Sequence, residues 1–203
     1  GMALLAASPT SDILVRASIN RINKLRPDYG YFPSEEINND DAFVIHNRKG
    51  ELLTSFSYDE LESHIGIKYE DKKVNHFNVS LDGQYVSFLY RGFTKNKRFC
   101  SLFRVCLLSL KLEIIVRHAF VSHYEYFRDG FILFGELSQT RGIYFVNTTV
   151  QILIEKSKTD YHICVIDENL VCFDSYPNRH SRSQIRLARL NDDLSLTDIS
   201  GLN

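Results

Sequence analysis

Three histidines hold the same place in three look-alike stretches of the chain. They are His76 in HFNVSLDGQYVSF, His123 in HYEYFRDGFILF and His162 in HICVIDENLVCF. Three imidazoles around an open position suit a divalent transition metal. Two other uses stay open: each ring can brace neighbouring segments through both of its nitrogens, or touch a ligand directly. Arg91 and Asp174 each lie just past the second strand of their stretch. A guanidinium there can grip a carboxylate or phosphate with two parallel bonds, and Tyr176 beside Asp174 can stack on a sugar ring. Arg26, Tyr29 and Tyr31, on an earlier loop, can join the same rim. Equally, Arg91 and Asp174 can pair with each other or brace loop backbone. No G-x-S-x-G, H-E-x-x-H, P-loop or G-x-G-x-x-G occurs in the chain. His162 and Cys164 would share one side of a strand, as a base and nucleophile should, but a small buried thiol explains Cys164 more simply. The acidic pairs Glu35-Glu36 and Asp40-Asp41 read as solvated loop.

The elements that must position these residues repeat with them. Each stretch reads as a short strand, a tight turn at Asp82-Gly83, Asp129-Gly130 or Glu168-Asn169, and a second strand ending on Phe. Gly and Asn tolerate the positive φ that such turns demand. A fainter copy opens the chain, with a turn across residues 8–12. A second strand pair follows each hairpin: 42–45 with 52–56, 102–108 with 112–116, 142–146 with 150–154, and 185–190 with 194–199. Four strands per unit, recurring at steps of 47 and then 39 residues between the histidines, predict an all-β chain built as a β-propeller of four-stranded antiparallel blades. A β-sandwich with a repeated hairpin is the main competitor. The blades are expected at about 3–57, 75–117, 122–156 and 161–200, in a single propeller or half-propeller domain. The first unit carries an insertion at 20–41, broken by Pro27, Gly30 and Pro33, and a short helix at 57–67 opened by the capping box Ser57-Tyr-Asp-Glu60.

Composition narrows the function classes. At 44% hydrophobic and 24% charged residues the chain should fold rather than stay disordered, and a net charge of −1 gives no electrostatic case for nucleic acid. Arg179, Arg182, Arg186 and Arg189 form the densest basic set, which reads as a solvated edge. No stretch nears the ~20 apolar residues of a membrane helix. The apolar run at 3–7 lacks a basic leader and is too short for a signal peptide, so a cytoplasmic location is expected. Cys100, Cys106, Cys164 and Cys172 form no C-x-x-C and read as free thiols, although Cys164 and Cys172 can approach each other across a hairpin.

The recurring strand, (S)-x-D-G turn and apolar strand resemble the TolB-like β-propeller repeat. The stretches Arg26-Pro-Asp-Tyr-Gly-Tyr31, Asn75-His76 with Phe88-Leu-Tyr-Arg91, Ser122-His123-Tyr124 and Asp174-Ser-Tyr-Pro177 look like a branch related to the oligogalacturonate lyases. Here Ser-Leu-Asp-Gly, Phe-Arg-Asp-Gly and Asp-Glu-Asn replace the repeat's Ser-Pro-Asp-Gly. The resemblance implies a manganese-like metal on the channel histidines and, with it, a lyase acting on uronate-containing glycans. With no complete catalytic constellation in the chain, the expectation is instead a non-catalytic module, without a cofactor, for a carbohydrate or protein partner. Four units, against the six or seven usual in this fold, predict self-association through unclosed blades or a missing remainder.

Overall fold

A computed structural model describes residues 2–8, 10–18, 41–95, 97–178 and 180–199. Nearly all of the 20–41 insertion, with Arg26, Tyr29 and Tyr31, lies outside the described residues, as does Arg179. The described chain is all-β apart from one short helix. Its strands are β1 (Met2–Ala7), β2 (Leu14–Ser18), β3 (Asp41–His46), β4 (Leu52–Ser57), β5 (Asp71–Val79), β6 (Tyr85–Phe93), β7 (Arg98–Cys106) and β8 (Leu112–Phe127). They continue with β9 (Gly130–Leu137), β10 (Thr140–Val146), β11 (Gln151–Lys156), β12 (Tyr161–Val165), β13 (Leu170–Ser175), β14 (Ile185–Leu190) and β15 (Leu196–Asp198). Every strand hydrogen-bonds to its neighbours in chain order within its sheet, in the orders β1-β2-β3-β4, β5 through β11, and β12-β13-β14-β15. The registered pairs are antiparallel. The chain divides into two units, Gly1–His118 and Ala119–Asn203, and the division falls inside β8.

Turn chemistry sets the hairpins. Between β5 and β6, Gly83 takes φ +69° and its N–H donates to the Ser80 carbonyl, while the Asp82 carboxylate accepts from the Gln84 N–H at 3.0 Å. The next copy differs from the expected Asp129-Gly130 turn. Phe127 pairs directly with Gly130, so the two-residue loop is Arg128-Asp129, and Arg128 takes the left-handed φ of +52°. Gly130 is required for closeness instead: a Cβ there would lie 2.3 Å from the Val146 carbonyl oxygen.

In the first unit, aromatic side chains fill the space between the β1–β4 sheet and the strands that begin at β5. Phe43 of β3 stacks on Phe56 of β4 at 5.0 Å and meets Phe88 of β6 at 4.6 Å, and Phe88 stacks on Phe103 of β7 at 5.3 Å. All four are buried, and each contributes roughly 1.5–3 kcal/mol by leaving water.

Helix α1 (Tyr58–Ile65) follows β4 directly. The Ser57 hydroxyl caps it by accepting from the Glu60 N–H, and Gly66 ends it at φ +80° with its N–H on the Glu62 carbonyl. Arg117 adds a second C-terminal cap, donating through Nη1 to the carbonyls of His64 and Ile65, both at 2.8 Å. Tyr58, Leu61, Glu62 and Ile65 make up the buried face. Glu62 has no exposed side-chain area, and it accepts from the Tyr69 N–H, the Tyr90 hydroxyl and Lys72 Nζ, each at 2.8 Å. Tyr69 in turn lies flat over Gly92, where a Cβ would come within 2.3 Å of its ring, and its hydroxyl meets His118 Nδ1 at 2.8 Å.

The second unit has its own core. Phe127, Phe134, Phe145, Tyr161 and Phe173 are buried together with Ile132, Ile143, Val171 and Leu190. Edge-on ring contacts join Phe134 of β9 to Tyr161 of β12 at 6.1 Å, and Tyr161 to Phe173 at 5.9 Å.

Candidate functional site

Strand periodicity builds the site in the second unit. Along β12, Tyr161 and Ile163 point into the core, so His162 and Cys164 face outward. Along β13, Val171, Phe173 and Ser175 are buried, which leaves Cys172 and Asp174 on the other face. The register sets His162 opposite Asp174, and His162 Nδ1 lies 2.7 Å from Asp174 Oδ1.

Tyr176 follows β13, its N–H on the Asp160 carbonyl at 3.4 Å. The Asp160 carboxylate is held in turn by the Ser122 hydroxyl at 2.7 Å and faces Arg141 at 3.9 Å. His123, beside Ser122 at a bulge of β8, completes the group. Its Nε2 stands 3.3 Å from the Tyr176 hydroxyl, and its ring lies 4.0 Å, centre to centre, from that of His162. The His162 and Tyr176 rings are 4.9 Å apart. His123, His162, Asp174 and Tyr176 thus form one cluster, which opens to solvent: His162 and Asp174 side chains are 45% and 53% exposed, and Tyr176 is 43% exposed.

The arrangement has definite chemical capacities. With Nδ1 on a carboxylate, His162 presents Nε2 outward in a fixed orientation, the way a carboxylate orients an imidazole that binds a ligand or metal. Asp174 keeps acceptor capacity for hydroxyl donors, and Tyr176 offers an aromatic face and a polar tip. Cys164 donates to the Val165 carbonyl at 4.0 Å. Burial pushes the Cys172 thiol up, with Cys164 and Asp174 adding to the shift.

His76 and Arg91 lie in the first unit. His76 stands half-buried at the bulge of β5, at φ +54°. Arg91 on β6 is buried, and its Nε donates to Asn75 Oδ1 at 2.8 Å. That bond fits a bracing role better than a ligand grip. Among the described residues, no group of three or more His, Cys, Asp or Glu side chains is placed to hold a metal ion. The sequence singled out Asp174 and His162 separately. The turn expected at Glu168-Asn169 would set residue 162 against 175, whereas the observed loop is centred on Glu168 and sets 162 against 174.

No family model matches the chain, and no curated protein matches it.

Proposed function

We propose that the chain is a non-catalytic binding module made of propeller-blade repeats, and that it takes a carbohydrate at the His123–His162–Asp174–Tyr176 cluster. The observation that carries the reading is the exposed tyrosine ring set beside an exposed carboxylate and two imidazoles. A sugar ring presents an apolar face to an aromatic and hydroxyls to acceptors such as Asp174. Support for blades comes from the meander order of the two four-stranded sheets; β5 through β11 run as one seven-stranded sheet, in which β8 neighbours both β7 and β9 and so is shared by two of the expected units. The test is calorimetric titration with neutral and uronate-containing oligosaccharides, repeated on Tyr176→Ala. Binding should fall at least about tenfold, equivalent to ~1.4 kcal/mol. A full panel without binding, or a variant that binds as well as the parent, sinks the reading.

The oriented His162 also favours a second reading, a metal-dependent lyase on uronate glycans. The described residues supply two imidazoles and one carboxylate already engaged with His162, and this set does not make a three-ligand site. Elemental analysis of the parent and of His123→Ala separates the readings: stoichiometric metal lost in the variant would favour the lyase.

Self-association belongs to the same proposal. The terminal strands β4 and β11 leave Leu52, Leu53, Ile152 and Leu153 exposed, and apolar edge strands invite a further strand. Light scattering is expected to give a dimer or larger species; a monodisperse monomer would count against it. No helix among the described residues is long and apolar enough to cross a membrane.

A further inference from the structure

Cys164 and Cys172 are register partners across the β12–β13 hairpin, and both are free thiols, the first exposed and the second half-buried. Flanking hydrogen bonds define the kind of rung they occupy. The Ile166 N–H donates to the Leu170 carbonyl, and the Tyr176 N–H to the Asp160 carbonyl. Hydrogen-bonded and non-hydrogen-bonded rungs alternate, so 160–176, 162–174, 164–172 and 166–170 all belong to the hydrogen-bonded set. On such a rung the Cα atoms stand about 5.5 Å apart, within the span of roughly 4.4–6.8 Å that a disulfide bridges. The Cβ atoms stand wider than the ~3.8 Å of a relaxed bridge. A bond can close only with added local twist, and strained or exposed disulfides are the ones small thiols reopen.

We propose that Cys164 and Cys172 form a reversible redox-modification site, a dithiol that a small-molecule disulfide closes to a cross-strand bond on the rung next to His162–Asp174. The more exposed Cys164 reacts first. Its thiolate attacks one sulfur of the small disulfide, a new S–S bond forms, and one small thiolate leaves. Cys172 then gives up its proton and attacks Cys164 Sγ, the protein disulfide forms, and the second small thiolate departs. Two protein thiols lose two electrons and two protons, and the small disulfide becomes two thiols. Burial holds Cys172 protonated longer than an open thiol, which makes it a poor attacker on a free small disulfide; its attack in the second step relies on Cys164 Sγ being held beside it. The closed bond would lie beside the carboxylate and imidazole of the candidate site, so its formation bears on that site whatever ligand it takes.

The experiment is incubation of the whole chain with oxidised glutathione, acid quench, alkylation, and non-reducing peptide mapping after cleavage at Glu168, which separates the two cysteines. One Cys164–Cys172 crosslink is expected, reopened by reduced glutathione. Cys172→Ser should instead retain glutathione on Cys164. Cys100 and Cys106 are the internal control, because they lie at opposite ends of a stretch of β7 about 20 Å long. Alkylation of both Cys164 and Cys172 after treatment, or a parent that keeps glutathione on Cys164 as the variant does, would overturn the proposal. Neither result depends on carbohydrate binding.

Discussion

Glu62→Ala should destabilise the first unit by about 3–5 kcal/mol, the cost of removing one partner from a buried ion pair. The carboxylate has no exposed side-chain area, and Lys72, its charged partner, is only 18% exposed. Two further donors converge on the same group, the Tyr69 N–H and the Tyr90 hydroxyl. Alanine would leave both without that acceptor inside the protein, and each orphaned buried donor costs about 1–3 kcal/mol. Nor is the damage confined to the helix. Tyr90 belongs to β6 and Tyr69 precedes β5, so the carboxylate fastens α1 to the sheet it covers. Glu62→Gln keeps an acceptor for Tyr69 and Tyr90 and loses only the charge, so it should recover more than half of the loss. The chain has no tryptophan, and urea unfolding should therefore be followed by tyrosine fluorescence and circular dichroism. An alanine variant within 1 kcal/mol of the parent, on the order of an ordinary surface change, would refute the fastening role.

The same carboxylate sets an acid limit. Burial alone would raise the Glu62 pKa, but the bonds from Lys72, Tyr69 and Tyr90 outweigh it and hold the pKa below the ordinary glutamate value of 4.5. A pKa lowered by folding means that the unfolded chain takes up the proton first. The stabilisation is complete above the unfolded value and is lost as pH falls through the folded one. The parent's urea midpoint should therefore drop below about pH 4.5 more steeply than that of Glu62→Gln. Parallel curves would show that Glu62 is not the titrating group.

Much of this architecture was legible because it is written in turns and alternation. The strand pair expected at 42–45 and 52–56 is β3 with β4, and the helix begins after Ser57 as the capping box implies. What escaped was what becomes of a charged residue once sheets pack. Glu62 is charged, yet it falls four residues after Tyr58 and between Leu61 and Ile65, on the face that turns inward. Arg91 reads in the sequence as a residue just past its strand, open to a ligand grip or to bracing; it lies instead within β6, which is buried through most of its length. The sequence points to a turn at Asp129-Gly130, one residue after the observed Arg128-Asp129, because glycine's other use, close approach, looks identical in sequence to its use at positive φ. The cluster in the second unit was half-visible. Its members were each named, but bringing His123 to Tyr176 depends on sheet packing and on a bulge in β8, which local pattern does not encode.

Arg186 makes the same point and leads to the second large expected effect. It belongs to the basic set that reads as a solvated edge, but its side chain is only 20% exposed. Nη1 and Nη2 donate in parallel to the two carboxylate oxygens of Glu155 at 2.9 and 2.8 Å, and Nε donates to Asp198. The guanidinium also lies over the Phe173 ring at 5.7 Å. One side chain on β14 thereby ties β11 to β15, a three-residue strand that pairs with β14. Arg186→Ala should cost about 2–3 kcal/mol, the worth of charged hydrogen bonds at a partly buried site. In a unit of this size that corresponds to a fall in midpoint temperature of roughly 10 °C or more. Lysine keeps the charge but not the planar fork, so Arg186→Lys should recover less than half. A double-mutant cycle with Glu155→Ala decides where the energy lies, since contacting residues couple by about 0.5–3 kcal/mol. Strong coupling would place the loss in the Arg186–Glu155 pair. Additive losses would instead assign it to packing over Phe173 and to Asp198, and the tie between β11 and β14 would then carry little of the unit's stability.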